Sequence, residues 1–317
     1  MNPIWIKNIE INRNKWDACI NECSWGNIYS LSFYLDYITH NRWDALIIGD
    51  YDYIMPVPIK SKFGIEFTYR PDFCQQLGVF TKFNIIEKEI LQLFLKKLTE
   101  RFITFIYPLN HENTVFNIKK IKFNKKTNFV LNLNTTYTEI YSKYSNELKR
   151  NLKKTEKSNI RLNENTSIDE LINIYKDAWQ NLHFINDKTY IAFKKVTEHL
   201  IDNKKAKIFS VIKNDKILSA CVIFFFKDRI YYPFSAITPD GKKNNSTEFM
   251  INEIIKKYCP SPLQLDFEGS DITNVKLFYK KFSPINKSYF QITKNVYFLE
   301  KFIIFRIFLK NVLHFKK

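Results

Sequence analysis

In the run Leu265-Asp266-Phe267-Glu268-Gly269-Ser270, two carboxylates alternate with two apolar residues, so a strand there turns Asp266 and Glu268 to one face. Gly269 ends that strand at once. Ser270 or Asp271 is placed to cap a helix in which Val275, Phe278, Tyr279 and Phe282 recur at helical spacing. Acid groups where a strand gives way to a helix can take a proton from an attacking nucleophile or orient it. The other reading of the same residues is a capped loop with solvated acids.

Three further segments offer charge. Ser145 to Ser158 reads SNELKRNLKKTEKS, with Leu148 and Leu152 as apolar anchors. Lys149, Lys153 and Lys157 form one stripe of this helix and Arg150 and Lys154 an adjacent one, a face able to grip phosphates or an RNA backbone. Gly241-Lys242-Lys243-Asn244-Asn245-Ser246 leads into a helix, and amides at a helix N-terminus favour anions. With one glycine it matches neither the Walker nor the dinucleotide pattern. The loop Tyr69–Gly78 (YRPDFCQQLG) adds Arg70 for a two-pronged contact with phosphate or carboxylate, and Gln75 and Gln76 as donors and acceptors. A solvated helix face and ordinary loops are the plain alternatives. No G-x-S-x-G elbow occurs, and the five histidines have no evident partners.

The elements that must hold these residues are legible in outline. The first half gives helices at Asn12–Cys23, from Ser30 to Thr39, and from Asn84 to Leu98, the last with the stripe Ile90, Leu91, Phe94, Leu95, Leu98. Its strands are Asp44–Ile48, Tyr53–Ile59, Ile65–Tyr69, Phe102–Tyr107 and Asn128–Leu133. The second half gives a helix opened by the Ser167/Glu170 capping box and carried by Leu171, Ile174, Ala178, Trp179 and Leu182. A helix at Tyr190–Leu200 follows, then strands Lys207–Ile212, Ile217–Phe226 and Ile230–Ile237. A helix from Ser246 or Thr247 to Tyr258 leads to strand Leu263–Phe267, and Tyr289–Thr293 closes that sheet. Each half thus reads as helices, an antiparallel meander, a helix and a returning strand, offset by about 160 residues. The boundary falls near Asn134–Tyr144. This gives a mixed α+β chain with domains at 1–140 and 141–295, followed by a basic amphipathic helix at 296–317 able to lie in a membrane interface or pack on the protein.

The 317 residues suit roughly two domains, and a hydrophobic share of 45% with 29 Phe supplies their cores. A net charge of +17 favours polyanionic partners, although the lysines are spread along most of the chain. Five cysteines without a C-x-x-C pair point to buried free thiols in a reducing compartment, with no structural metal. With no signal-peptide core and no apolar run of membrane-spanning length, a cytoplasmic protein is expected.

LDFEGS followed by a helix ending FYKKF, after a meander and a helix, resembles the Fem-type branch of the GNAT superfamily, whose members carry two GNAT-like domains in tandem. The KRNLKK helix looks like the segment opening their second domain, and MPVPIK with PDFCQQLG is similar to their first. The resemblance covers about residues 25–295. It implies an acyltransferase moving an acyl or aminoacyl group to an amine or hydroxyl of a cell-envelope or surface-polysaccharide precursor. Asp266 and Glu268 would be catalytic. Arg70, Gln75, Gln76, Lys149, Arg150, Lys154, Ser270 and Tyr279 would bind substrate, a phosphate-bearing acceptor or the acidic end of the donor. Lys242, Lys243 and Ser246 would meet a cofactor. GKKNNS departs from the glycine-rich loop of acyl-CoA-using GNAT proteins, which leaves aminoacyl-tRNA and acyl-CoA both open as donor, with nothing tightly bound. The implied partners are the glycan-precursor acceptor, tRNA as donor, and the inner face of the membrane through 296–317. The alternative function is a non-catalytic basic-cleft module for RNA or a sugar nucleotide, and a third is a membrane-associated scaffold.

Overall fold

The computed structural model describes residues 2–295 except 63, 84, 114–117, 180–184 and 270. The cap at Asn84, Leu182, Ser270 and the basic helix 296–317 lie outside the described residues. The chain forms two units. One takes residues up to Lys126 and resumes at Tyr289; the other is Thr127–Ser288.

The first unit holds β1 (Ile4–Ile6), α1 (Arg13–Glu22), α2 (Ser32–Thr39), β2 (Trp43–Ile48), β3 (Tyr53–Lys62), β4 (Ile65–Thr68), β5 (Phe80–Thr81), α3 (Lys88–Arg101), β6 (Phe105–Pro108) and β7 (Lys122–Lys126). β2 is buried along its whole length, as a central strand must be. Asn12 caps α1 by accepting from Lys15 N (3.1 Å). Ser30 does not cap α2; Asp17, reaching across from α1, accepts from the N–H of Ser32 (2.7 Å) and from its hydroxyl (2.6 Å). α3 buries Leu91, Phe94, Leu95 and Leu98, the stripe its spacing predicts.

The second unit holds β8 (Phe129–Asn132), α4 (Tyr137–Ser142), α5 (Asn146–Thr155), β9 (Arg161–Asn163), α6 (Ile168–Trp179), α7 (Asp187–Asp202), β10 (Ala206–Lys213), β11 (Lys216–Phe226), β12 (Arg229–Ile237), α8 (Pro239–Lys243), α9 (Ser246–Tyr258), β13 (Gln264–Asp266), α10 (Thr273–Lys280) and β14 (Ile285–Asn286). Its sheet runs β14-β8-β13-β12-β11-β10-β9. One face is covered by α4, α5, α9 and α10 over a core that includes Phe209, Cys221, Tyr232, Met250 and Phe267. On the other, Tyr175 of α6 and Phe193 of α7 pack on Phe234 at 4.5 and 5.2 Å between ring centres.

Two strands sit in the opposite unit from the one expected. The last strand, β15 (Tyr289–Lys294), does not close the second sheet; it lies between β6 and β7 of the first. Lys294 secures it there, donating from Nζ to Thr99 O (2.7 Å) and Phe102 O (2.8 Å) at the C-terminal end of α3. Conversely β8, read as the end of the first half, pairs with β13 in the second sheet. The division therefore falls at Lys126/Thr127 and at Ser288/Tyr289, not at 140 and 295.

Candidate active site

The second sheet is antiparallel except between β12 and β13, which run parallel for three pairs: Arg229 with Gln264, Ile230 with Leu265 and Tyr231 with Asp266. Just beyond, the register against β11 slips. Phe224 faces Tyr231 and Val222 faces Phe234, so β12 spends Tyr232 and Pro233 where β11 spends Val222's neighbour Ile223 alone. This is a β-bulge, and Pro233 has no N–H to give a neighbouring strand. β13 ends at Asp266, so from Tyr232 to Ile237 the strand ladder on β12 involves β11 only. The two parallel strands part at this point.

Asp266 stands at the fork and is 1% exposed. Its Oδ2 accepts from Arg229 Nη1 (3.0 Å) and Asn128 Nδ2 (3.2 Å), and its Oδ1 from the Glu268 N–H (2.9 Å). Those bonds occupy both oxygens and tie β12, β13 and the entry to β8 together. The last of them closes a turn of the Asx type, with side chain bonded to backbone two residues on. Glu268 and Gly269 follow in the left-handed region, at φ +61° and +55°. At Gly269 a Cβ would stand 2.8 Å from Asn128 Cα. The strand alternation that placed both carboxylates on one face therefore fails: the extended run stops at Asp266, and Glu268 is aimed by a turn.

Glu268 is half-buried as a residue, but its Oε1 has no solvent access. Burial pushes its carboxyl well above the usual range, so it holds its proton at pH values where an exposed glutamate has lost it. Tyr279 lies beside it, stacked on Phe267 at 5.0 Å between ring centres, and burial first, then the neighbouring Glu268, push its hydroxyl up as well. The ring of Tyr232 meets Tyr279 edge-on at 6.5 Å, with its hydroxyl near Cys221 and Ser235. Burial thus favours the protonated form at Glu268, whereas Asp266 is a buried ion-pair partner of Arg229 that holds the turn.

The other candidate residues are placed as follows. Tyr279 joins Asp266 and Glu268. Asp271 does not cap α10, whose N-cap is Ile272; its Oδ1 accepts from Thr127 N (3.4 Å). α5 presents Arg150, Lys153 and Lys154 as exposed cations, with Lys157 exposed in the turn just beyond it, while Lys149 Nζ donates to Ser142 O (2.7 Å). The segment expected to cradle phosphate is instead the short helix α8. Thr238 caps it by accepting from Gly241 N (3.0 Å), and the N–H groups of Lys242, Asn244 and Asn245 donate to carbonyls within the same segment. Lys242 is exposed, Lys243 pairs with Asp240 (3.3 Å), and Ser246 is fully buried. In the first unit Arg70 is exposed, whereas Gln75 and Gln76 are buried. Gln76 donates to Gln75 Oε1 (2.8 Å) and accepts from His111 N (3.1 Å), so its amide supports the loop. Sequence reasoning missed Arg229, Asn128, Tyr232 and Pro233. Pro233 inside a strand was the one available signal, since it marks a bulge or an edge.

Among the described residues no cluster of His, Cys, Asp and Glu is arranged to hold a metal, and no helix is long and apolar enough to cross a membrane.

A sheet that opens between two parallel strands beside a bulge invites comparison with known acyl-transfer folds. Residues 142–273 match the family model "Acetyltransferase (GNAT) domain". The fold is similar to that of FemX (TM-score 0.60, 11% identity, 92% of this chain and 97% of that one). It is also similar to L-PGS from Bacillus licheniformis (TM-score 0.53, 11% identity, 93% and 95%). A third is the C-terminal domain of a putative lysylphosphatidylglycerol synthetase from Agrobacterium fabrum (TM-score 0.51, 9% identity, 91% and 93%). No curated protein sequence matches the chain. Residues 142–273 thus match a GNAT domain, and across most of its length the chain shares the fold of FemX and of these synthetase domains.

Proposed function

We propose that the chain transfers an aminoacyl or acyl group from an activated ester or thioester to an amine or hydroxyl of a cell-envelope or surface-polysaccharide precursor. The observation that carries this reading is the buried Oε1 of Glu268, set in a turn that Asp266 closes where β12 and β13 part, with burial raising its carboxyl above the usual range. In the reaction, the acceptor nitrogen or oxygen bonds to the carbonyl carbon and the ester or thioester bond breaks. The proton lost by the nucleophile balances the one taken up by the leaving oxygen or sulfur. Glu268, with Tyr279 beside it, supplies that proton to the leaving group or a hydrogen bond to the oxyanion. One such donor to an oxyanion typically contributes roughly 3 kcal/mol.

Two features favour an aminoacyl-tRNA donor over acyl-CoA. The amides of Gly241, Lys242, Asn244 and Asn245 are spent within their own segment, and α5 with the turn after it offers four exposed cations for a polyanion. Lys149, Arg150 and Lys154 of the second unit serve phosphate groups of acceptor or donor in this reading, and Arg70 of the first unit is a separate exposed cation.

The test is transfer of label from charged tRNA or from acetyl-CoA, in parallel arms, to nucleotide-linked and lipid-linked envelope precursors. E268Q is expected to lower turnover about a hundredfold or more. Wild-type turnover in E268Q removes Glu268 from the chemistry. Saturable binding of tRNA or a sugar nucleotide with no transfer in any arm replaces the enzyme reading with that of a binding module.

A further inference from the structure

β13 covers one side of β8 at Val130, Leu131 and Asn132, but β14 covers the other side only at Phe129 and Val130. In an antiparallel ladder successive residues turn their N–H and C=O to opposite sides. Leu133 turns toward the β13 side, its N–H donating to Leu263 O (3.0 Å) and its O accepting from Ser261 N (2.9 Å). Asn132 therefore turns its backbone N–H and C=O to the side that β14 has left uncovered. That edge opens on a cavity of about 420 Å³ between β8, α4 and the turn at Phe282–Ile285, a volume within the ~300–1,000 Å³ usual for small-ligand sites.

The lining has a definite polarity. Val130, Ile140 and Phe282 give it a buried apolar floor. Glu139 and Lys143, one helical turn apart, stand at its exposed rim. They do not neutralise each other. Lys143 has no ion-pair or hydrogen-bond partner for its ammonium among the described residues, and Glu139 uses only Oε2, which accepts from Thr136 N (3.3 Å).

We propose that this cavity binds an amino-acid zwitterion, either a free amino acid with an apolar side chain or a dipeptide. Glu139 Oε1 takes the ammonium, and Lys143 takes the carboxylate. The uncovered N–H and C=O of Asn132 pair with the ligand's own backbone, as an added strand would. The apolar side chain rests on Ile140 and Phe282. Its lining includes none of Asp266, Glu268 and Tyr279, and it does not rest on the acyl-transfer reading.

Calorimetric titration of the full chain with L-leucine, L-leucyl-L-leucine, N-acetyl-leucine and leucinamide tests it. Single-site binding of the first two is expected, weakened roughly tenfold or more when either terminal charge is blocked. K143M and E139Q should each weaken it by a similar factor; Gln at 139 keeps the helix-capping pattern with Thr136, so the fold survives. E268Q should bind as the wild type does, which separates this site from the proposed chemistry. Tighter binding of the dipeptide assigns the Asn132 edge to a peptide, and equal affinities assign the site to a free amino acid. Absence of saturable binding by either zwitterion, or affinity unchanged in both K143M and E139Q, overturns the proposal.

Discussion

Replacing Glu268 by Gln should stabilise the second unit at neutral pH while it lowers transfer. In the unfolded chain the Glu268 carboxyl titrates near its ordinary value of 4.5; in the fold, burial raises it well above that. Below about pH 4.5 both states are protonated, and the pair of proteins should differ little. As pH rises past that value the unfolded chain gives up its proton while the folded chain keeps it. Wild-type stability then falls by up to about 1.4 kcal/mol per pH unit, and the fall stops once the pH passes the raised folded value. Gln has nearly the same shape and no proton to lose, so E268Q escapes this slope. Its advantage over wild type should widen across the same interval. Urea unfolding of both proteins, in steps of about one pH unit upward from about 4.5, measures the difference. Hydrogen exchange of a peptide containing Phe267–Gly269 assigns it to the right segment. A difference that stays flat with pH, or that shrinks as pH rises, means Glu268 is ionised in the fold and the donor role is wrong.

Three further outcomes follow from the same geometry. R229M strands Asp266 as a buried carboxylate with only the Asn128 and Glu268 N–H groups left to serve it, and should cost about 3–5 kcal/mol in urea unfolding; a cost under ~1 kcal/mol would show the pair to be solvated. G78A should destabilise the first unit by at least ~1–3 kcal/mol, because φ is +113° there and a Cβ would stand 2.7 Å from Asn110 Nδ2. Tryptophan fluorescence reads this change, since Trp25 Nε1 donates to the adjacent Val79 O (3.1 Å). Neutralising Arg150, Lys153, Lys154 and Lys157 together should lower the salt slope of tRNA binding by roughly 0.7–0.9 per lost phosphate contact; an unchanged slope places the RNA elsewhere.

Periodicity located the elements whose faces are one-sided. The meander β10-β11-β12 came out within a residue of its expected limits, and α3, shifted from 84–98 to Lys88–Arg101, still buries most of its expected stripe, because buried stripes and alternating runs survive any topology. β7 was missed because Lys122–Lys126 is an edge strand with little buried surface, and its charge reads as loop. The destination of β8 and β15 was not legible at all: pairing partners are set by the whole sheet, and a strand's own pattern does not name its neighbour. At the candidate site, residue type and spacing drew attention to Asp266, Glu268 and Tyr279, which the fold brings together; their surroundings were not legible, because burial and the partners Arg229 and Asn128, 37 and 138 residues away from Asp266 in sequence, are set by the sheet. The GKKNNS segment looked like an anion cradle since its composition suits one; only the observed helix α8 reveals that its amides are used internally.

The exchange of strands bears directly on that chemistry. Chain entering the second unit at Thr127 passes at once along β13, so Asn128 donates to Asp266 and Phe129 O accepts from Phe267 N (2.9 Å). Thr127 and Asn128 also line the tight side of Gly269, where only a residue without a Cβ fits. Thr127 and Asn128, leading into β8, therefore close one side of the turn carrying Glu268. Were β13 the edge of its sheet, water would reach that turn, the desolvation that keeps the carboxyl protonated would be lost, and Glu268 would titrate as an ordinary surface acid. The strand that opens the second unit is in this way part of what sets the environment of Glu268, and the unit accordingly begins at Thr127 and not after the polar stretch that follows β8.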